Sequence, residues 1–269
     1  MAPSGPKPFP WGNSAETLVL ISVALTCLVS ARPARAQVAG NRPDAATLDR
    51  DGISLFRQQR YAQALVKFRQ AAARGDATAE NNLGWMYEHG KGVRQDYNQS
   101  LAWYRKAAAQ DYARAENNLG WMYEYGDGVS QDYGQALKWY RKAATEDYPD
   151  AENNLGWMYQ HGLGARRDQN QALLWYRRAA AQGDAAAENN LGWMYEHGRA
   201  VHRDYRRAIA WFHKAAAQGY ALAENSLGWV YEHGKGVGKD YVRALAWYRK
   251  AAAQGDAGAK HNLAALERR

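Results

Sequence analysis

Two kinds of residue recur at a spacing that could do chemistry. The first is a carboxylate followed by an imidazole: Glu88-His89, Glu196-His197 and Glu232-His233, with His161 in the same column and Tyr125 breaking it. Such pairs suit proton transfer, and histidine suits zinc. The second is a tryptophan three residues ahead of the carboxylate column: Trp85, Trp121, Trp157, Trp193 and Trp229. A large aromatic held among polar groups suits contact with a ligand.

Repetition argues against catalysis. Active sites are normally single, whereas the Glu-His pair returns in almost every unit of 36 residues. Histidines one unit apart are separated by a whole helix pair, on the order of 10 Å, and zinc takes its ligands at about 2 Å. No nucleophile, phosphate loop or unique carboxylate pair stands out. The sequence predicts a non-enzymatic protein with no metal and no cofactor.

The elements that must hold these residues repeat as well. The stretch AENNLGWMYEHG at 79–90 returns nearly unchanged at 115, 151, 187 and 223, a period of 36 residues with no insertion. The units are 79–114, 115–150, 151–186, 187–222 and 223–258. A sixth start at Ala259 forms a capping helix over 259–269, with Glu267, Arg268 and Arg269 as its polar end. Upstream, 45–78 is a shorter related unit without the glycine loop. Each unit reads as a first helix (79–89) ending at Gly90 in the left-handed region, a loop, and a second helix (97–109). Asp96 is its N-cap, with Gln99 as reciprocal partner. Pro149 falls in a connector. One helix pair cannot bury enough apolar surface alone, so the units must stack into an all-α, right-handed α-solenoid. Gly84, Gly120, Gly156, Gly192 and Gly228 let helices approach closely, as do Ala107 and Ala108.

These residues resemble the Sel-one-like repeat family, relatives of the tetratricopeptide repeats. The shared pattern, A-E-x-N-L-G-x-M-Y-x-x-G-x-G-V-x-x-D-Y-x-x-A-x-x-W-Y-x-K-A-A-x-x-G, covers 79–258 almost completely and extends into 259–269. It departs at Ala200, which replaces a loop glycine, and at Ala165, which replaces the loop valine. The 45–78 unit instead resembles a tetratricopeptide repeat through Gly52, Leu55, Tyr61, Ala64, Phe68 and Ala71. The resemblance implies that first helices line a concave surface and second helices a convex one. It also implies a bacterial scaffold in envelope signalling, complex assembly or host interaction, and names no partner. Some cysteine-rich members of the family are linked to β-lactam binding. Those use disulfide-linked helix pairs, which this chain lacks.

At 100° per residue, Leu83, Met86 and Tyr87 form the apolar stripe, and Asn81, Trp85 and Glu88 fall on the opposite side. Stacking then aligns three rails. One is Trp85, Trp121, Trp157, Trp193 and Trp229. Beside it run Asn81, Asn117, Asn153, Asn189 and Asn225, and then Glu88, Glu124, Gln160, Glu196 and Glu232. Two readings of the tryptophans stay open: contact with a partner in the groove, or packing between first helices. The other column, Trp103, Trp139, Trp175, Trp211 and Trp247, reads as cover for the core edge. The basic pairs beside it, such as Arg105/Lys106 and Arg177/Arg178, read as a solvated face.

The 269 residues are 46% hydrophobic, enough to fold. Residues 17–30 are apolar but short for a membrane span, and Ala34-Arg35-Ala36 fits a signal-peptidase site. The sequence predicts a secretory leader over 1–36 cleaved after Ala36, a linker over 37–44, and a periplasmic or secreted product with no stable membrane insertion. Cys27 leaves with the leader, so disulfides and thiolate sites are excluded. Loss of Lys7, Arg32, Arg35 and Glu16 changes the net charge from +8 to about +6. No nucleic-acid reader motif accompanies that charge. The expected function is a scaffold or adaptor holding a protein or peptide in its groove. A cell-wall or exopolysaccharide glycan is the alternative, and a β-lactam-interacting hydrolase a further one.

Overall fold

The computed structural model describes residues 43–268. The leader, Cys27, the Ala36 cleavage point, most of the 37–44 linker and Arg269 lie outside the described residues. Among the described residues there are thirteen α-helices and no strand: α1 (Ala45–Arg57), α2 (Tyr61–Ala72), α3 (Ala77–His89), α4 (Tyr97–Ala108), α5 (Ala113–Tyr125), α6 (Tyr133–Thr145), α7 (Pro149–His161), α8 (Gln169–Ala181), α9 (Ala185–His197), α10 (Tyr205–Ala217), α11 (Ala221–His233), α12 (Tyr241–Ala253) and α13 (Ala257–Leu266). They pair into helix–turn–helix repeats of the α-solenoid class. The chain divides into two compact units, up to residue 103 and from 104 onward, with the division inside α4.

Local chemistry sets the helix ends. Asp76, Asp184 and Asp256 cap first helices by accepting from the amides of Ala79, Ala187 and Ala259. Those helices therefore begin two residues ahead of the AENN motif. Asp132, Asp168, Asp204 and Asp240 cap the second helices in the same way. Asp96 accepts from the Gln99 amide at 3.0 Å, which is the aspartate's half of the expected capping box. First helices α3, α5, α7, α9 and α11 each end on a glycine in the left-handed region. Pro149 is not in a connector. It is the first residue of α7, where its missing N–H has no helical partner to lose.

In the first unit α1 packs on α2 and α2 on α3. Gly52 sits against Phe68, where an added Cβ would come within 2.5 Å of the ring. In the second unit each helix from α5 to α13 packs on the next. One apolar cluster joins Ala136, Leu137 and Tyr140 of α6 to Leu155 and Met158 of α7. The next joins α8 to α9 through Leu173, Tyr176, Leu191 and Met194. Each cluster thus ties the second helix of one repeat to the first helix of the following one, which is how stacked units share a core.

Candidate functional site

The first-helix tryptophans carry the most recurrent geometry. Each meets the ring one turn later: Trp121 stacks on Tyr125 at 5.0 Å, Trp193 on His197 at 4.4 Å and Trp229 on His233 at 4.5 Å, while Trp157 meets His161 tilted at 3.6 Å. In the histidine cases Nδ1 lies 2.9–3.0 Å from the tryptophan's own carbonyl. A carbonyl only accepts, so Nδ1 carries the proton and Nε2 is left to face outward. The indoles of the second unit are half-buried, while Tyr125, His161, His197 and His233 are exposed. What this face presents is therefore an imidazole or phenol backed by an indole. In the first unit Trp85 is only 5% exposed, stacked on His89 at 4.1 Å and met edge-on by Phe56 at 5.4 Å.

The asparagine rail is a structural ladder in the second unit. Asn117 Oδ1 accepts from Asn154 Nδ2 at 3.0 Å, Asn153 from Asn190 at 2.9 Å, and Asn225 from Asn262 at 3.0 Å. Each bond crosses from one first helix to the next. In the first unit Asn81 is fully buried, and the neighbouring Asn82 donates to Asp49 at 3.0 Å. Burial pushes the Asp49 carboxyl up to about 6. Asn189 is the exception: Ser226 stands where an asparagine would reach it, and that hydroxyl turns back to the Leu222 carbonyl. The buried Asn189 Oδ1 is left without a partner.

The carboxylate rail is corrected by the structure. Glu88, Glu124 and Glu232 do not lie on an open polar side; they are buried. Glu124 Oε2 accepts from the Tyr140 hydroxyl at 2.6 Å, Glu232 from Tyr248 at 2.9 Å, and Gln160 from Tyr176 at 2.9 Å. A wheel with one buried stripe fails because a first helix is covered on several sides. In α3 Glu80, Asn81, Asn82, Leu83, Gly84, Trp85, Met86 and Glu88 are all buried. Glu196 differs again. Phe212 replaces the tyrosine, burial pushes the carboxyl up, and the His197 imidazole lies 3.6 Å away.

Two further columns were missed. The glutamates before the asparagines are buried and meet second-helix cations: Glu116 with Lys142 and Glu152 with Arg178, both at 2.8 Å. Gln182, Gln218 and Gln254 donate to Glu152, Glu188 and Glu224 at 2.7–2.9 Å. The available signal was recurrence: the glutamate returns in every unit and the glutamine in all but the unit at 115–150, where Glu146 stands. Cations of this column lie over the second-helix indoles, Arg178 on Trp175 at 4.9 Å and Lys214 on Trp211 at 4.1 Å. The other member of each basic pair also has a partner: Arg105 donates to the Tyr123 hydroxyl at 3.0 Å and Arg141 to Tyr159 at 2.5 Å. These pairs are inter-helix ties rather than a merely solvated face.

Among the described residues no cluster of three or more His, Cys, Asp or Glu side chains is placed to hold a metal ion. No helix among them is long and apolar enough to cross a membrane.

A family model described as Sel1 repeat matches residues 77–112, 113–148, 149–184, 185–220 and 221–256. The chain is similar to a Sel1 repeat protein from Oxalobacter formigenes, at 37% identity over 81% of this chain and 89% of that one, with a TM-score of 0.75. It is similar to a protective antigen of uropathogenic Escherichia coli strains displaying an SLR fold, at 36% identity and a TM-score of 0.66. That match covers 82% of this chain and 48% of the antigen, so the chain spans about half its length. An immunity protein from Pseudomonas aeruginosa shares the fold at 22% identity, with a TM-score of 0.57 over 79% of this chain and 83% of that one. Comparison with curated proteins finds no match.

Proposed function

The chain belongs to the Sel1 repeat family, whose stacked helix pairs are protein-interaction scaffolds, and from that premise we propose that it is an exported, non-catalytic adaptor. It holds a protein or peptide along its first-helix face. The observation that carries this is the row of indole-backed rings, repeated in register on α5, α7, α9 and α11 with the outer ring exposed. Rigid aromatic pairs offer contact area at little entropic cost, which suits a protein surface. A sugar ring needs an open aromatic face, and here the imidazole or phenol already occupies one side of each indole. The glycan reading therefore has less support. Export rests on the apolar run at 17–30 and the Ala34-Arg35-Ala36 site.

The test is affinity capture from envelope extract by the leaderless chain beside two variants. One changes His161, His197 and His233 to Ala; the other changes Trp121, Trp157 and Trp193 to Ala. The histidine variant should melt like the parent and lose its partners. Retention of every partner by a folded histidine variant overturns the reading. A large drop in melting temperature confined to the tryptophan variant assigns the indoles to packing and leaves the outer rings as the contact.

A further inference from the structure

The loops joining first to second helices diverge while the helices around them stay alike, and the divergence has a sign. In the repeats starting at 149, 185 and 221 these loops read GLGARRD, GRAVHRD and GKGVGKD. They carry Arg166, Arg167, Arg199, Arg203, Lys235 and Lys239. Lys235 is half-buried and the other five are exposed. The preceding loop, GDGVSQD, carries none.

These cations share one edge of the second unit. Gly164 lies against the backbone of Tyr133 and Gly236 against Tyr205, each the first residue of the second helix in the repeat before. These two loops therefore rest directly beside the preceding loop's end. Val201 packs into the apolar clusters on both of its sides, and so does Val237. That fixes the loops in register.

Five basic residues on the helices of the second unit supply the contrast. Lys142, Arg178, Arg207, Arg243 and Arg249 each pair with a carboxylate at 2.8–3.3 Å. None of the six loop cations makes an ion pair among the described residues. The aspartates closest in sequence are spent: Asp168, Asp204 and Asp240 accept from helix amides, and the latter two also hold Arg207 and Arg243. The edge is a row of uncompensated positive charge on a rigid backbone.

We propose that the loop edge of the repeats starting at 149, 185 and 221 is a docking surface for an acidic protein segment. Four of the six cations are arginines, whose planar forks match carboxylates in bidentate fashion. Neighbouring first helices touch through their asparagines, so successive loops are on the order of 10 Å apart. A polyproline II chain has three residues per turn and rises about 3.1 Å per residue, so an acidic residue at every third position returns to one face and meets one loop each. The exposed His161, His197 and His233 end the helices that lead into these loops. They provide an aromatic contact beside the charged one, which a peptide carrying both side-chain types can use and a polyanionic glycan or lipid headgroup cannot. This names the partner chemistry for the scaffold reading and rests on it, and the six loop cations are the side chains it adds.

The experiment titrates the full chain against a fluorescein-labelled peptide of four Glu-Ser-Ser triplets, followed by anisotropy at 50 mM and 200 mM salt. Two variants of equal net charge are compared: Arg166→Glu with Arg199→Glu and Lys239→Glu, and Lys138→Glu with Lys260→Glu and Arg268→Glu. The expected result is at least a tenfold weakening in the loop variant and less than a twofold change in the other, with affinity falling as salt rises. Equal weakening in both, or no binding by the parent, overturns the proposal and leaves the capture result on the histidine face intact. If the loop variant melts early, Arg166→Gln with Arg199→Gln and Lys239→Gln replaces it, with the same outcomes. Anionic phosphatidylglycerol vesicles and a polyuronate oligosaccharide are run alongside. Tighter binding by either, lost in the loop variant, gives the edge to that ligand class and overturns the assignment to protein.

Discussion

The repeats at 149–184 and 185–220 share a helix plan and most of their letters, yet they are held together differently. In the first, Tyr176 donates to Gln160, Arg177 reaches the Tyr195 hydroxyl at 3.4 Å, and Gly164 takes the left-handed loop position. In the second, the corresponding residues are Phe212, His213 and Ala200, and Ala200 keeps the left-handed conformation at φ 56°. One repeat further along the stack, Ser226 removes the amide that Asn189 would accept from. The apolar framework is kept with small exchanges, Ile209 for Leu173 and Val230 for Met194, while several polar ties have been dropped. Shape in this chain comes from glycine–ring contacts and alanine seams, and the polar ladders add stability on top. Four tests probe that division.

The largest effect is expected where both repeats agree. Gly156 faces Tyr176, and Gly192 faces Phe212, with an added Cβ coming within 2.5 Å of either ring. Gly156→Ala and Gly192→Ala should each destabilise by about 1–3 kcal/mol through overpacking, despite alanine's helix propensity advantage of about 1 kcal/mol. Urea unfolding followed by circular dichroism measures it. A much smaller effect at Gly192 would mean that the ring without a hydroxyl is free to shift, and that the two repeats differ in packing after all.

The second test concerns the hydroxyl. Tyr140→Phe removes the hydroxyl that donates to the buried Glu124 carboxylate, which should lose about 1–3 kcal/mol. Phe212→Tyr is the reverse experiment and should gain about 1 kcal/mol by giving Glu196 a donor. Burial raises the Glu196 carboxyl above its unfolded value, with His197 opposing. The folded state thus holds that proton more tightly, and its stabilising effect is lost as pH rises from the unfolded value of 4.5 through the raised one. Melting curves across that range should fall less steeply for Phe212→Tyr than for the parent. Identical slopes would show that Glu196 finds its donor elsewhere.

Much of this was legible in the sequence. The 36-residue period gave the helix pairs, and the glycine and left-handed loop positions followed from their recurrence. The rails were only partly legible. A helical wheel assumes one buried stripe, but α5 packs on α6 and meets α7 through its asparagine, so Glu124 is buried where the wheel leaves it open. The two adjacent asparagines look alike as letters. Only the stack shows that Asn153 accepts from Asn190, one repeat away. Contacts between repeats are not encoded in the periodicity of any single helix.

That ladder supplies the third test. Ser226→Asn restores the amide opposite Asn189 Oδ1 and should add about 1 kcal/mol, the usual net value of one hydrogen bond. Asn190→Ser removes an existing rung and should lose a similar amount. Combining Ser226→Asn with Asn189→Ala should abolish the gain. If the gain survives, the new amide is bonding elsewhere and the ladder is not continuous through this repeat.

The smallest effect belongs to Ala200. An L-residue in the left-handed region costs about 1–2 kcal/mol, and glycine removes that strain. Glycine also adds about 0.4–1 kcal/mol of backbone entropy to the unfolded chain, so Ala200→Gly should stabilise by about 0.8 kcal/mol, the difference of the mid-range values. The position has a companion. Gly164 and Gly236 rest on Tyr133 and Tyr205, whereas the residue in register with Ala200 is Gln169, which departs from tyrosine. Gln169 instead donates to the Gln160 carbonyl at 3.0 Å, the role Gln95 and Gln131 play at Glu88 and Glu124. If the methyl group of Ala200 is accommodated because the tyrosine is gone, then Gln169→Tyr should be tolerated better in the Ala200→Gly background than in the parent. A double-mutant cycle on melting temperature reads that coupling directly. Simple additivity would make the two departures independent accidents of drift, and a coupling would make them one compensated change in how this repeat seats on the last.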